Sequence, residues 1–151
     1  VGFLVGWGGA MTSPIDGSKY FDEPAQASLA EAVCVGDIDE INALLLRKVS
    51  ANAVGRGGVT PLIVAVRCQS EAGVQALLKA GANPNYRYMG QYTPVWLAAD
   101  LNRPAILRML LDEGGDPHAA SDDGTTVLMQ ALALGIRTMA QDAWGNYNLL
   151  L

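Results

Sequence analysis

The chain has 151 residues, half of them hydrophobic and 17% charged, which is enough for one domain with a sizeable buried core. Its formal net charge of −5 argues against a nucleic-acid binder, because such proteins need cations to replace phosphate counterions. The charge is uneven: residues 1–50 carry seven acids and three bases, 51–110 two and six, and 111–151 six and one. A basic middle between acidic ends could steer a charged partner, or it could simply be the solvated face of surface helices.

The amino-terminal stretch 1–10, VGFLVGWGGA, carries no charge and is too short to span a bilayer. It is similar to the end of a secretory signal segment, with Gly8 and Ala10 placed as the small residues of a cleavage site. A flexible arm is the alternative. We therefore assign 1–23 to an arm or signal-peptide remnant, and we expect an exported, periplasmic location rather than a cytoplasmic one.

A period of 33 residues runs through the rest of the chain. Threonine recurs at that spacing at Thr60, Thr93 and Thr126. Other columns hold small or apolar residues at the same spacing, namely Ala32, Ala65, Ala98 and Ala131, then Leu44, Leu77 and Leu110, and then Gly81 and Gly114. Agreement of several columns at one spacing indicates a repeat architecture.

One period predicts a helix, a turn, a second helix and an extended loop. In 59–66, VTPLIVAV, Thr60 can cap a helix through its hydroxyl, and Pro61 suits the first helical position. A second helix is expected at about 72–79, with Gly81 ending it in the left-handed conformation. The next segment, ANPNYRYMGQY at 82–92, has the residues of turns. Because one such unit cannot cover its own apolar side, the copies must stack and share a core.

These motifs resemble the ankyrin repeat. The family's order of glycine, T-P-L-H, paired leucines and G-A-D appears as GVTPLIVAV…ALLKAGANPN at 58–85 and as GQYTPVWLAA…MLLDEGGDPH at 90–118. It appears less fully as GTTVLMQALALG at 124–135, and 27–52 fit as an opening repeat without the T-P start. The resemblance implies an all-α ankyrin-repeat solenoid of about four helix-turn-helix repeats with β-hairpin finger loops. The expected domain is 24–151, with repeats at 24–54, 55–87, 88–120 and 121–151.

The chain departs from the family pattern at the histidine of T-P-L-H. That column holds, in order, Ala30, Ile63, Trp96 and Met129. We therefore expect the family's inter-repeat hydrogen bond to be lost and apolar packing to replace it. Gly90 falls one residue early, which predicts a differently shaped second finger. The last repeat has Ala143 and Trp144 in place of the paired leucines, as in a capping end or a truncation.

The two cysteines, Cys34 and Cys68, cannot form a metal site, because four ligands are needed and no C-x-x-C pair exists. They fall on neighbouring repeats, so a disulfide is possible. We expect two buried free thiols instead.

No catalytic motif is found, and we expect no enzyme, no cofactor and no metal. His118, the only histidine, lies in a Gly-Asp-Pro-His loop and is interpreted as a turn residue. The Asp-Asp-Gly at 122–124 begins like a calcium loop, but the later acidic ligands are missing, so a finger turn explains it better. Trp96 and Trp144 are expected to pack rather than to hold a small ligand.

The resemblance places partner binding on the finger tips and on the inner face formed by the first helix of each repeat. The segment 86–92 is the richest in tyrosine and arginine, which interface centres favour, although these side chains could also merely cover neighbouring repeats. The predicted partner-binding residues are Arg56, Val59, Arg67, Arg87, Tyr88, Met89, Tyr92, Trp96, Asp100, Asp122 and Asp123.

The predicted function is a non-catalytic protein–protein interaction module. Its more specific form is an inhibitor or immunity protein that neutralises a secreted bacterial effector enzyme such as a phospholipase. An ankyrin adaptor or stress-protective protein is the alternative, and a cryptic enzyme is a different class. The expected partner is a protein, with no nucleic acid, no metal and no membrane insertion.

Overall fold

The computed structural model describes residues 15–138, which fold into two compact units that divide between Asn83 and Pro84. Seven α-helices account for the regular structure of the described residues, and strand pairing there is limited to isolated bridges. The expectation of an all-α ankyrin-repeat solenoid is confirmed.

Among the described residues, the first unit holds four helices in two packed pairs. A 3-10 turn at Gly17–Lys19 precedes them, and another at Arg56–Gly58 separates the pairs. Helix α1 packs against the second pair as well as against its own partner helix, so the two repeats share one core. The helices are α1 (Pro24–Val35), α2 (Ile38–Leu46), α3 (Pro61–Arg67) and α4 (Glu71–Lys79).

In residues 84–138, the second unit holds one complete helix pair and the first helix of the next repeat. Helix α5 packs against both of the others. The loops at 88–92 and 120–126 each close as a finger on a single antiparallel bridge. The helices are α5 (Pro94–Asp100), α6 (Pro104–Asp112) and α7 (Val127–Thr138).

The recurring threonine begins the first helix of three repeats. The side-chain oxygen of Thr60 accepts a hydrogen bond of 3.3 Å from the backbone N–H of Ile63, and Thr93 does the same for Trp96 at 3.2 Å. Thr126 caps α7 in the same way. Each cap satisfies an amide that the helix itself leaves unbonded, which explains why the chain repeats threonine at this point. In α1, which lacks the T-P start, no side chain caps the first turn.

The column of alanines lies in the core, as predicted. Ala65, Ala98 and Ala131 are fully buried and Ala32 is 5% exposed. A small side chain at this point lets two helices approach closely. A leucine in the last turn of each second helix is buried too, namely Leu44, Leu77 and Leu110.

An asparagine in each long loop joins consecutive repeats. Asn52 donates from its amide to the carbonyl of Gly81 at 2.9 Å and accepts from the backbone N–H of Asn83 at 2.8 Å. In the second unit, Asn85 bonds Gly114 and Asp116 in the same pattern, at 3.0 and 2.7 Å. The two asparagines are 33 residues apart, so the period also fixes how each loop is tied to the next helix end.

The prediction of two free thiols is wrong, because Cys34 and Cys68 form a disulfide. Cys34 lies in the last turn of α1 and Cys68 directly follows α3, and stacking of these helices brings the two Cα atoms to 5.2 Å. That distance is within the range a disulfide spans without moving the backbone. Helices α1 and α4 also approach closely, since a Cβ atom on Gly73 would lie 2.2 Å from the carbonyl oxygen of Val33.

Three predictions concern residues outside 15–138. These are the signal-like stretch 1–10, the replacement of paired leucines by Ala143 and Trp144, and the second helix of the fourth repeat. Within the residues that the structure describes, no helix is long and apolar enough to cross a membrane.

Candidate partner-binding surface

The second finger, residues 88–92, is a tight hairpin with Met89 at its tip. The backbone N–H of Tyr88 donates to the carbonyl of Tyr92 at 2.7 Å, and the N–H of Tyr92 donates back at 3.1 Å. Between them Met89 and Gly90 have φ of +53° and +72°. Two successive positive values are those of a type I′ turn, which suits glycine but costs energy for methionine. The turn leaves Met89 64% exposed.

Arg87 joins this finger to the third finger, which is the loop at 120–126. Its Nε donates to the carbonyl of Gly90 at 3.0 Å, inside its own hairpin. Its other two nitrogens reach the next loop, bonding the carbonyl of Ala120 at 3.3 Å and the carboxylate of Asp122 at 3.1 Å. Arg87 and Asp122 are both among the predicted partner-binding residues. In the structure the two side chains form a salt bridge that joins the two fingers.

An aromatic pair continues the surface from the finger onto α5. The rings of Tyr92 and Trp96 lie with centroids 4.6 Å apart. The indole Nε1 of Trp96 donates to the backbone carbonyl of Thr125 in the next finger at 2.9 Å. The prediction that apolar packing replaces the family's inter-repeat hydrogen bond is therefore wrong at this position, because tryptophan supplies an N–H donor of its own.

The inner helices add a third contact between the same repeats. Asp100 lies one turn after Trp96 on α5, and its carboxylate accepts from the side-chain amide of Gln130 on α7 at 2.7 Å. Met129, next to Gln130, is 53% exposed. Met129 is the third residue of α7 and Trp96 is the third residue of α5, so the two occupy equivalent positions in adjoining repeats.

Six residues of the second finger and of the inner helices α5 and α7 make up the candidate surface. We call them the finger face: Tyr88, Met89, Tyr92, Trp96, Asp100 and Met129. Met129 is not among the partner-binding residues predicted from the sequence. Its signal was present, because it stands in the column where the family has histidine, but we expected an apolar residue there to be packed.

The third finger borders this face with carboxylates. Asp123 accepts from the hydroxyl of Ser121 at 2.5 Å and from the backbone N–H of Thr125 at 2.9 Å. The hydrogen bond from Ser121, followed by that from Thr125, lowers the pKa of the Asp123 carboxyl, so this side chain is charged at neutral pH. Both bonds stabilise the turn, in keeping with the predicted finger role of 122–124. In residues 15–138 no three histidine, cysteine, aspartate or glutamate side chains are grouped to hold a metal.

The remaining predicted residues belong to the first unit. Arg56 is exposed and pairs with the carboxylate of Asp22, and its guanidinium also bonds the carbonyl of Ser18. Arg67 is half-buried at the end of α3. Val59 is only 4% exposed, so it packs inside the unit and does not belong to a free surface.

His118 lies in a turn that a hydrogen bond from its backbone N–H stabilises. Its N–H donates to the carboxylate of Asp116 at 2.8 Å, and the side chain is exposed. The expected turn role agrees with this geometry.

Comparison with known proteins identifies the repeats. The family model for the ankyrin repeat matches residues 57–88 and 90–122. The chain is similar to the glycerophosphocholine phosphodiesterase gde1 of Schizosaccharomyces pombe, with 34% identity over 71% of this chain and 10% of that protein. It is similar to the inactive serine/threonine-protein kinase TEX14 of Bos taurus, with 31% identity over 81% of this chain and 8% of that protein.

A third relative is close to this chain in size. The chain is 33% identical to protein phosphatase 1 regulatory subunit 27 of Mus musculus, over 59% of this chain and 58% of that protein. The chain thus spans a tenth or less of the two longer relatives and somewhat more than half of this one. With its seven described helices and its matched motifs, the chain contains ankyrin repeats, which indicate a protein–protein interaction module.

Proposed function

We propose that the chain binds a partner protein, without catalysis of its own, through the finger face of its second unit. The observation that carries this proposal is the finger tip. A hairpin is closed by two backbone hydrogen bonds and clamped by Arg87, and it holds Met89 in an unfavourable conformation with 64% of the residue exposed. Backbone strain lowers the stability of a fold, and strained residues cluster at functional sites. Exposed apolar surface likewise marks interaction sites.

The surrounding residues suit the centre of an interface. Tyr88, Tyr92 and Trp96 are each half-buried, so each leaves part of an aromatic ring for a partner. Aromatic side chains bury a large area at low entropic cost and are enriched among the residues that dominate binding energy. The bonds of Trp96 and Arg87 to the next finger fix these rings in advance, which lowers the entropy lost on binding.

A photocrosslinking experiment tests the proposal. Benzoylphenylalanine is placed at position 89 or at position 129, and the protein is irradiated in an extract of the organism that makes it. We expect one adduct of the same partner from both positions. The control position is Arg108, which is exposed on α6 and lies outside the finger face. An adduct of equal yield from position 108, or none from 89 and 129, would contradict the proposal.

The more specific proposal is that the partner is an enzyme which the chain inhibits, such as a secreted bacterial effector. Support comes from one relative that is by name a regulatory subunit of an enzyme and similar to this chain over 58% of its length. An adaptor or stress-protective protein is the alternative. The two are separated by purifying the crosslinked partner and assaying it with and without this chain: inhibition at stoichiometric amounts supports the enzyme-inhibitor proposal, and unchanged activity supports the adaptor.

A further inference from the structure

We infer that the finger face receives a protein segment in which a large apolar residue is accompanied by a nearby lysine or arginine. This inference rests on the proposed function and adds the chemistry of the partner. It depends on two properties of the face, which are its exposed apolar atoms and its border of charge.

The apolar part comprises two exposed methionines and an aromatic pair. Met89 and Met129 are 64% and 53% exposed, more than most other apolar residues of the described chain. The hydrogen bond from Trp96 to Thr125 places the third finger beside the Tyr92–Trp96 pair. The start of α7 directly follows this finger. Methionine is flexible and polarizable, so this surface can fit an inserted apolar side chain of irregular shape.

The border of the face is negative. Asp122 is neutralised by Arg87, but Asp100 and Asp123 are hydrogen-bonded to uncharged groups. Among the described residues, neither of these two carboxylates takes part in a salt bridge. Asp100 lies one helical turn from Trp96, and Asp123 is two residues from the carbonyl that Trp96 bonds. One carboxylate therefore lies on the same helix as Trp96, and the other lies in the finger that Trp96 bonds.

Charge complementarity across an interface selects partners, because like charges placed opposite each other are costly. A segment with a cation near its apolar anchor would pair with Asp100 or Asp123 while its anchor contacts the methionines. An acidic segment would be repelled. Replacing each aspartate by asparagine removes the charge and keeps the oxygen that the aspartate uses as a hydrogen-bond acceptor.

The test uses a phage-displayed library of random linear dodecapeptides, selected against the intact protein and against Asp100→Asn with Asp123→Asn. Peptides enriched on the intact protein should combine Leu, Phe, Met or Trp with Lys or Arg. On the double variant the apolar residues should remain enriched and the cations should not. A synthetic peptide with the most enriched sequence should bind the double variant with a Kd roughly three- to tenfold higher than that for the intact protein, as expected for the loss of two exposed ion pairs.

Two outcomes would overturn the inference. One is enrichment of acidic or uncharged peptides, and the other is an identical selection on both proteins. The proposed function is tested separately by Met89→Gly with Met129→Ala, which removes the apolar part and leaves the carboxylates. If selected peptides bind this variant as tightly as the parent, or if no peptide is enriched at all, the finger face is not a binding surface and the proposal above also fails.

Discussion

The indole Nε1 of Trp96 lies 2.9 Å from the backbone carbonyl oxygen of Thr125, so one repeat donates a hydrogen bond to the finger of the next. The ankyrin pattern has a histidine at the position of Trp96. The same carbonyl also accepts from the backbone N–H of Ser121 at 3.0 Å. The bond from Trp96 therefore adds to a finger that is already closed, and it ties that finger to α5.

Replacing Trp96 by phenylalanine tests this link. The ring contact with Tyr92 is retained and the N–H donor is lost. We expect the free energy of unfolding to fall by about 1 kcal/mol, because Thr125 keeps another donor. Hydrogen exchange of the Ser121 amide should become faster. Met129→Ala, at the equivalent position on α7, is the control and should change stability by no more than about 0.5 kcal/mol. Unchanged exchange at Ser121 in the phenylalanine variant would contradict the link.

Arg87 should act on finger geometry more than on stability. Arg87→Lys keeps a positive charge near Asp122 but cannot reproduce the three separate bonds of the guanidinium fork. Because the ion pair is exposed on both sides, we expect the free energy of unfolding to change by less than about 1 kcal/mol. Amide exchange at Gly90 and Gln91 should increase several-fold. If exchange in the finger is the same in both proteins, the guanidinium does not hold it.

The disulfide should account for much of the stability of the first unit. The bond between Cys34 and Cys68 spans a sequence separation of 34 residues. A loop of that size is expected to contribute about 4 kcal/mol by restricting the unfolded chain. Cys34→Ala with Cys68→Ala should therefore lower the urea midpoint for α1–α4. The parent protein treated with a phosphine reductant should unfold at a similarly low midpoint.

A thiol titration checks the same bond without a variant. The unfolded and unreduced protein should show no free thiol, and two should appear after reduction. Finding two thiols before reduction would contradict the bridge.

A core leucine should behave differently from an exposed one. Leu77 is fully buried in α4, and Leu77→Ala should cost about 2–5 kcal/mol through the cavity it leaves. Leu46, at the end of α2, is 81% exposed, so Leu46→Ala should change the free energy of unfolding by no more than about 0.5 kcal/mol. Urea unfolding of the two variants measures both values. Equal losses would mean that the burial pattern is misassigned.

Much of the fold could be predicted from the sequence, because the signals were local or periodic. The threonine caps, the alanine column and the glycine at the end of α4 each depend on residues within one repeat. The disulfide was missed because its formation depends on how closely α1 and α3 approach, which spacing alone does not give. Trp96 was misread for a similar reason, since its hydrogen-bond acceptor is 29 residues away.

The candidate site was predicted less well than the fold. Tyrosine and arginine composition drew attention to 86–92, and the finger is exposed there as expected. Composition could not show that the guanidinium of Arg87 is occupied within the fold, nor that Val59 faces the interior. Both facts depend on side-chain direction, which a repeat pattern does not specify.

The affinity of Met89→Gly for the partner crosslinked through position 89 tests the central claim most directly. Glycine suits the positive φ of this position, so the variant removes the exposed side chain without harming the finger. By calorimetric titration we expect binding to weaken on the order of tenfold or more, with an unchanged or slightly higher melting temperature. Binding as tight as that of the parent, with the same melting temperature, would show that the finger tip is not part of the interface.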